Sequence, residues 1–347
     1  MTTTARAYAA TSPTDPFTPT TIERRTVGPH DVRIDIAYSG ICHSDISTVR
    51  GAWGPATYPL VPGHEIVGTV AEVGSAVTRH QVGDRVGVGC MVNSCRECDN
   101  CRAGLENYCL NGATFTYGSV DRDGTITQGG YATEVVVVED FVVSVPENIP
   151  YEAAAPLLCA GVTTYSPLAH AHVGPGTKVA VVGLGGLGHL AVKFAHAMGA
   201  EVTVLSQTLS KQDDGLRLGA DHYYATSDAE TFTTLANNVD LIVNTISAPV
   251  DLHAYLSLLA LDGTMVNLGA PAELLPVSVF TLMANRRSLS ASSIGGITET
   301  QEMLNFCAEH DIAPEVELIT AADIDTAFER VLKSDVRYRF VIDAATI

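Results

Sequence analysis

A glycine-rich turn between an apolar strand and a helix constrains the fold of this chain more than any other feature. Residues 178–182 form a short, mostly apolar strand, and residues 190–195 have the pattern of a helix. Between them lies a Gly-x-Gly-x-x-Gly string, which in this setting is the fingerprint of a dinucleotide-binding βαβ unit rather than a plain turn. The pyrophosphate would meet the amide groups at the start of the helix. The predicted cofactor-binding residues of this turn are Gly183, Gly185, Gly186, Leu187 and Gly188.

The residues after the next predicted strand indicate which dinucleotide binds. A site for NAD places Asp or Glu about 20 residues after the first glycine, where it binds the ribose 2′-hydroxyl. Here the strand 201–205 leads into the sequence Ser206-Gln207-Thr208-Leu209-Ser210-Lys211, which contains no carboxylate. The hydroxyls of Ser206 and Thr208 and the ammonium group of Lys211 can instead bind a 2′-phosphate. These residues predict NADP(H), with helix capping by the two hydroxyl residues as the alternative.

Two different strand patterns predict two domains. Further strands at 222–225, 239–244 and 263–269 alternate with helices, which is typical of a Rossmann domain with a doubly wound parallel sheet. The first third instead has short strands and frequent glycines, beginning with apolar residues at alternate positions from Val32 to Tyr38. This pattern favours a compact β domain, so the chain as a whole is expected to be α/β.

Four cysteines in one short segment predict a bound metal ion. Cys95, Cys98, Cys101 and Cys109 are separated by two, two and seven residues, so their thiolates can surround a single tetrahedral zinc ion. An iron–sulfur cluster usually has a tighter last spacing, and disulfides are unusual in a reducing compartment. Because four thiolates close the coordination shell, we interpret this segment as a structural zinc lobe without a place for substrate.

A second metal site requires residues from distant parts of the chain. Cys42, His64 and Cys159 together would supply two thiolates and an imidazole, the ligand set that leaves a catalytic zinc one open position. Each residue alone is weak evidence, because a single Cys or His more often has no metal to bind. The spacing of these residues does not establish that they converge.

Several longer segments resemble one enzyme family in the same chain order. They are Cys42-His43-Ser44-Asp45, residues 62–68, residues 82–89, the four-cysteine segment, Cys159-Ala160-Gly161-Val162-Thr163-Thr164-Tyr165 and residues 337–341. Together they are similar to the zinc-dependent medium-chain alcohol dehydrogenases. Within that family the chain resembles the cinnamyl alcohol dehydrogenase branch, which includes bacterial NADPH-dependent aldehyde reductases.

The resemblance implies a domain organisation and a set of roles. A GroES-like, β-rich catalytic domain would comprise residues 1–154 and 296–347, with the structural zinc lobe near residues 90–110 and a Rossmann domain at 155–295. Cys42, His64 and Cys159 would bind the catalytic zinc, with Glu65 in a secondary metal role and Asp45 orienting the ligand histidine. Ser44 would relay the proton, His43 and Arg339 would contact the cofactor, and Trp53 would line the substrate pocket.

The function implied is hydride transfer between NADP(H) and aromatic or aliphatic aldehydes or primary alcohols. Two zinc ions per chain, one of which polarises the carbonyl, and a homodimer are expected from the same resemblance. The alternatives are a dehydrogenase for polyols or other secondary alcohols, and a cofactor-binding protein without turnover.

One position departs from the family pattern. Many relatives carry a histidine three residues after the relay serine, where this chain has Ser47. A hydroxyl does not titrate near neutral pH, so we expect aldehyde reduction to lack a histidine-like inflection between about pH 6 and 7 from this relay.

Charge and hydropathy exclude other classes of partner. The chain has 39 Asp and Glu against 20 Lys and Arg, a formal net charge of −19, which disfavours nucleic acid and anionic membranes. No signal sequence or membrane-spanning segment is expected, so a cytoplasmic location is predicted.

Overall fold

The computed structural model of the protein describes residues 3–271 and 273–347. They form two compact units. The first unit contains the described residues up to Val162 together with Gly295–Ile347, and the second unit is Thr163–Ile294. The first unit thus continues to Val162, beyond the boundary expected after residue 154, because Gly161 still packs against Leu157 and Met303 of that unit. The exact domain boundary stays a prediction.

The strands are numbered β1 to β17 in chain order. Their bounds are β1 Thr3–Ala9, β2 Thr18–Arg24, β3 Asp31–Ile41, β4 Ile66–Val73, β5 Arg85–Val88, β6 Met91–Asn93, β7 Thr114–Phe115, β8 Glu134–Val138, β9 Val143–Ser144, β10 Lys178–Val182, β11 Glu201–Ser206, β12 His222–Ala225, β13 Val239–Asn244, β14 Leu259–Asn267, β15 Ser288–Ala291, β16 Val316–Ile319 and β17 Arg339–Asp343.

The α-helices are numbered in the same way. They are α1 His43–Val49, α2 Asp99–Arg102, α3 Tyr151–Pro156, α4 Val162–His170, α5 Gly188–Ala197, α6 Gln212–Arg217, α7 Ala229–Thr234, α8 Leu252–Ser257, α9 Val279–Met283, α10 Ile297–Glu309 and α11 Ile324–Leu332. A π-helical turn at Leu157–Gly161 connects α3 to α4, and short 3₁₀ turns lie at Glu106–Tyr108, Glu139–Phe141, Leu209–Lys211, Ala321–Asp323 and Ala344–Thr346.

The first unit is built on a mainly antiparallel sheet with the strand order β16-β17-β3-β4-β5-β9, in which β8 also pairs with β3. Apolar side chains at alternate positions of β3, such as Val32 and Ile34, are fully buried. Ser39 of β3 lies opposite Ile66 of β4, and Ile41 lies opposite Phe340 of β17. The register therefore brings the end of β3 next to the starts of β4 and β17.

The second unit is a parallel sheet with the order β12-β11-β10-β13-β14-β15. The central strand β10 is buried from Val179 to Val182, as expected for a parallel strand covered on both faces. Val182 pairs with Leu205, so the turns after β10 and β11 lie at the same edge of the sheet. The predicted α/β architecture, with a β-rich domain and a doubly wound domain, is confirmed.

The helices are short. Across residues 3–271 and 273–347, no helix has both the length and the apolar character needed to cross a membrane.

Candidate metal centres and dinucleotide-binding site

Cys42 is held at the junction between β3 and α1. Its backbone is extended, with φ −110° and ψ 152°, at the N-cap position of α1. The Cys42 amide donates to Asp45 Oδ2 at 2.9 Å, and the Asp45 amide donates to the Cys42 carbonyl at 3.1 Å. These two reciprocal hydrogen bonds fix the strand-to-helix turn and thereby the position of the thiol.

His64 and Glu65 lie directly before β4. Both are buried, and the Gly40 amide donates to the Glu65 carbonyl at 2.9 Å, which ties this segment to β3. His64 Nδ1 lies 3.0 Å from Asp45 Oδ1. Because a carboxylate only accepts, Nδ1 carries the proton and Nε2 is left to bind a metal.

Cys159 comes from the π-helical turn, a local irregularity that often occurs at functional sites. Its sulfur lies 4.0 Å from the Cys42 sulfur. One ligand atom each from Cys42, His64, Glu65 and Cys159 lies within 4.8 Å of all the others, and all four residues are buried. The structure therefore brings together the three predicted zinc ligands and the predicted secondary carboxylate. Two thiols, an imidazole and a carboxylate are a donor set that fits zinc.

The electrostatics of this cluster favour a bound cation. The hydrogen bond with Cys159, and then that with His64, lower the pKa of the Cys42 thiol well below its usual value. Burial alone would lower the pKa of His64, but the charges of Asp45 and Cys90 and the hydrogen bonds with Asp45 and Cys42 together outweigh it and raise that pKa well above the usual range. Burial raises the pKa of Glu65 to about 7. A basic imidazole and an acidic thiol are both good zinc ligands.

Arg339 lies at this cluster. At the start of β17, its side chain is 6% exposed and forms an ion pair with Glu65, whose side chain is fully buried. A buried guanidinium needs such a partner, since an isolated buried charge is costly. The cofactor contact expected of Arg339 stays a prediction.

The other predicted residues of α1 and the following loop vary in exposure. Ser44 Oγ lies 3.5 Å from the Cys42 sulfur, and Ser47, one turn further along α1, is partly exposed. His43 is exposed. Trp53 is 52% exposed, which rules out an ordinary core tryptophan and leaves its role as a pocket residue a prediction.

The second cluster consists of the four closely spaced cysteines. One sulfur from each of Cys95, Cys98, Cys101 and Cys109 lies within 4.8 Å of the others. The amide of Cys98 donates to the Cys95 sulfur, and the amide of Leu110 donates to the Cys98 sulfur, each at 3.4 Å. Hydrogen bonds from backbone amides stabilise thiolates, and four thiols in this arrangement fit a closed tetrahedral zinc site.

The dinucleotide fingerprint has the geometry that its glycines predict. Gly183 has φ +90°, and a Cβ on Gly188 would lie 1.9 Å from the Gly183 carbonyl oxygen, so α5 packs closely against the turn. A Cβ on Gly185 would meet no atom within 4 Å, which leaves the backbone open to a ligand. Leu187 caps α5 without a side-chain hydrogen bond to the helix amides. The dipole at the start of α5 favours an anion, and binding of the pyrophosphate there stays a prediction.

Among the residues at and after the end of β11, one has a structural role and two keep their predicted roles in cofactor binding as predictions. The Thr208 side chain accepts a hydrogen bond from the Ser210 amide and caps the 3₁₀ turn at Leu209–Lys211. The Lys211 ammonium group donates to the Leu184 carbonyl at 2.9 Å, which places its charge beside the glycine-rich turn. Ser206 ends β11 and is partly exposed.

Sequence analysis missed two tyrosines near the first cluster. The Tyr131 hydroxyl donates to Asp45 Oδ2 at 3.1 Å, and the Tyr117 ring centroid lies 5.8 Å from that of His64. Burial and then the charge of Asp45 raise the pKa of both phenols well above the usual value. The pair Gly129-Gly130 just before Tyr131 could have indicated this contact, because a Cβ on either glycine would collide with residues 62–66 and the two segments must therefore lie close together.

Comparison with known families matches both halves of the chain. Residues 28–147 match the family described as alcohol dehydrogenase GroES-like domain, and residues 186–309 match the family described as zinc-binding dehydrogenase.

Complete relatives support the same assignment. The chain is 65% identical to NADP-dependent alcohol dehydrogenase C 1 of Mycolicibacterium smegmatis over 99% of both chains. A cinnamyl alcohol dehydrogenase from Sorghum bicolor has 44% identity and a TM-score of 0.96, over 99% of this chain and 98% of that one. A CAD from Helicobacter pylori, complexed with NADP(H), has 44% identity and a TM-score of 0.94 over 99% of both chains. The chain therefore belongs to the zinc-binding alcohol dehydrogenases, as its motifs predicted.

Proposed function

We propose that this protein is a zinc-dependent alcohol dehydrogenase and aldehyde reductase that transfers hydride between NADP(H) and aromatic or aliphatic aldehydes or the corresponding primary alcohols. The observation that carries the proposal is the convergence of Cys42, His64 and Cys159. These residues come from the end of β3, the start of β4 and the π-helical turn, yet their ligand atoms lie within 4.8 Å of one another. Folding has no evident reason to collect two thiols and an imidazole in a buried position unless they bind a metal.

The metal and the nucleotide would have different roles in the reaction. A zinc ion bound by these residues supplies Lewis-acid polarisation of a carbonyl oxygen, and NADPH supplies the hydride. The chain's own part is to hold the ligands in place. Asp45 fixes the His64 tautomer through Nδ1, and Arg339 neutralises Glu65, so that Glu65 stays buried beside the other ligands.

Ser44 is suited to carry the proton. Its hydroxyl lies 3.5 Å from the Cys42 sulfur and is partly exposed, so it can donate to an oxygen at the metal site and accept from another hydroxyl in turn. Ser47 follows one turn later at a partly exposed position, where its hydroxyl can exchange a proton with water. Neither serine titrates near neutral pH.

NADP(H) is favoured by the residues around the nucleotide turn. Ser206 stands at the end of β11, where an NAD site has a carboxylate, and the charge of Lys211 lies beside the glycine turn. Two of the three relatives named above are an NADP-dependent enzyme and a structure complexed with NADP(H). Thr208 already caps a helical turn, so we assign the phosphate contacts mainly to Ser206 and Lys211.

A homodimer is part of the proposal. β15 is the last strand of the parallel sheet, and within the part of the chain that the structure describes one of its edges has no strand beside it. Val279, Phe280 and Met283 on α9 of the same unit are between 67% and 81% exposed. Open strand edges and exposed apolar clusters are typical of association surfaces. Light scattering coupled to size-exclusion chromatography would measure the mass of the assembly, and a monomer would contradict this part.

We also propose a cytoplasmic location. None of the eight cysteines, all of which the structure describes, forms a disulfide, although several lie close together, which is typical of a reducing compartment. Cell fractionation with an antibody would test it.

The central experiment follows NADPH consumption with cinnamaldehyde. We expect faster turnover with NADPH than with NADH. We expect Cys42→Ala to lose both the turnover and one zinc ion per chain. Cys307→Ala is the matched control, because Cys307 is a buried thiol that contacts Met303 and belongs to neither cluster. A zinc-replete wild type that reduces no aromatic or aliphatic aldehyde would contradict the proposal.

A further inference from the structure

Asp45 is the centre of a buried hydrogen-bond network behind the first cluster. The side chain is fully buried, and both carboxylate oxygens have donors. Oδ1 accepts from His64 Nδ1 at 3.0 Å and from the Gly63 amide at 3.3 Å. Oδ2 accepts from the Cys42 amide at 2.9 Å and from the Tyr131 hydroxyl at 3.1 Å. Two of the partners are zinc ligands, and Tyr131 is a side chain from a distant part of the chain.

We propose that Tyr131 is a positioning residue for the catalytic zinc. By holding Asp45 Oδ2, its hydroxyl keeps Oδ1 directed at His64 and so fixes the orientation of the imidazole. This inference rests on the proposed function only in that Cys42, His64 and Cys159 bind zinc. Groups that orient a ligand histidine affect metal affinity even when they do not touch the metal.

The surroundings of Tyr131 leave its hydroxyl little freedom to move. The Tyr131 amide donates to the Pro62 carbonyl at 3.0 Å, and its own carbonyl accepts from the Tyr8 amide at 2.9 Å. Its ring lies against the backbone of Gly63, where a Cβ would come within 2.6 Å, and its centroid lies 6.0 Å from that of Phe17. A fully buried, closely packed ring directs the hydroxyl at Asp45 in one fixed geometry.

Packing alone does not account for a tyrosine at this position. Phenylalanine would fill the same space and make the same ring contacts, without a polar atom that has to be satisfied. Tyr117 also interacts with Asp45, but it interacts with Thr48 as well. The effect specific to the Tyr131 hydroxyl is therefore measurable with Tyr131→Phe, which preserves the core.

The test measures zinc release from holoenzyme with an excess of a chromogenic chelator. The catalytic phase of release is identified as the one that is missing in Cys42→Ala. We expect Tyr131→Phe to accelerate this phase about 10-fold, the lower end of the range for groups behind a ligand histidine. The phase from the four-cysteine site should not change. In protein substituted with cobalt at the catalytic site, the visible absorption bands should also shift, which a loss of packing elsewhere would not produce.

Tyr151→Phe is the matched control. It removes a hydroxyl that lies 3.4 Å from Thr69 in the same unit, and we expect it to leave both phases unchanged. A double-mutant cycle with Asp45→Asn then tests the route of the effect. If Tyr131 acts through Asp45, its replacement should accelerate release much less when Asp45→Asn is already present.

Two outcomes would overturn the inference. One is a Tyr131→Phe protein that releases catalytic zinc at the rate of Tyr151→Phe, and the other is an effect of full size in the Asp45→Asn background. A wild type that holds no zinc at Cys42 would instead contradict the proposed function, and this inference with it. If the wild type is active and zinc-replete and Tyr131→Phe does not change the rate of catalytic zinc release, this inference alone is contradicted.

Discussion

The two cysteine clusters reach similar ligand distances by different routes. In the four-cysteine cluster all ligands lie in one loop, and two of the sulfurs accept hydrogen bonds from backbone amides of that loop. In the cluster of Cys42, His64, Glu65 and Cys159, the two thiols are 117 residues apart and are brought together by the sheet and the π-helical turn. The four-cysteine cluster can organise its own loop, whereas the cluster around Cys42 depends on the folded unit around it.

The difference extends to the groups behind the ligands. In the cluster around Cys42, the buried Asp45 and Arg339 are partners of His64 and Glu65, and the buried Tyr131 is in turn a partner of Asp45. The four-cysteine cluster has an exposed ion pair nearby, between Arg96 and Asp140. A closed site needs only the metal to hold it together, but a site with an open position needs outside groups to preserve its geometry. We therefore expect the loss of a ligand to have different consequences in the two clusters.

The largest expected effect separates catalysis from local folding. We expect Cys42→Ala to lower kcat/KM for aldehyde reduction by about 1,000-fold or more, because carbonyl polarisation is worth several kcal/mol. We expect Cys98→Ala to raise the protease sensitivity of the loop near residues 90–110, because zinc binding stabilises the folded form of this loop. Both variants should lose one zinc per chain. Limited proteolysis and kinetics on the same samples measure the two effects.

The comparison of the clusters fails if the pattern is reversed. Protease sensitivity at residues 90–110 in Cys42→Ala, or an intact loop in Cys98→Ala, would show that the two sites are not independent. Cys307→Ala again serves as the control for the loss of a buried thiol.

The second largest expected effect is a difference in how much the ion pairs beside the two clusters contribute to the free energy of unfolding. Glu65→Gln leaves the guanidinium of Arg339 buried without a counter-charge, which we expect to lower the free energy of unfolding by about 3 kcal/mol. The pair of Arg96 and Asp140 spans 2.9 Å, but its side chains are 46% and 43% exposed, so Asp140→Asn should cost less than about 1 kcal/mol. Denaturant titration of zinc-replete protein measures both values. Equal losses would mean that burial does not distinguish the two pairs.

Local sequence patterns indicate a site most directly where the relevant residues are close together. The spacing of Cys95 to Cys109 and the glycine string each place all their chemistry in one short segment. The α/β architecture followed from regular patterns of apolar residues, and it was confirmed. The convergence of Cys42, His64 and Cys159 depended on the family resemblance, because no local pattern relates them.

The partners of Asp45 and Glu65 could not be predicted from local patterns. Arg339 reaches Glu65 because β17 pairs with β3 and β3 pairs with β4, a register between strands from opposite ends of the chain. Tyr131 reaches Asp45 through packing against Gly63. Thr208 shows a different difficulty, because a local pattern can fit two roles. Its hydroxyl suits both phosphate binding and helix capping, and in the structure it caps the 3₁₀ turn.

The smallest predicted effect lies within the four-cysteine cluster after zinc is removed. Hydrogen bonding, first from the backbone at Glu97, lowers the pKa of Cys95 to about 6, whereas burial raises the pKa of Cys101 to about 12. Above pH 6 Cys95 is therefore mainly a thiolate, and Cys101 stays a thiol up to alkaline pH. Because the thiolate is the reactive form, iodoacetamide at pH 7 should alkylate Cys95 about 10-fold or more faster than Cys101.

The pH dependence of this alkylation makes the prediction specific. A lowered pKa means that the Cys95 rate should fall as the pH is lowered through about 6, whereas an unperturbed thiol would already lose its rate below its ordinary value of 9.0. Peptide mass spectrometry between pH 5 and 9 would measure each cysteine separately, with zinc-loaded protein as the protected control. A midpoint near 9 for Cys95 would show that the loop donates its amides to the sulfur only when zinc is bound. The four-cysteine loop would then depend on its metal for its geometry, and the cluster around Cys42 would be the one that folding preorganises.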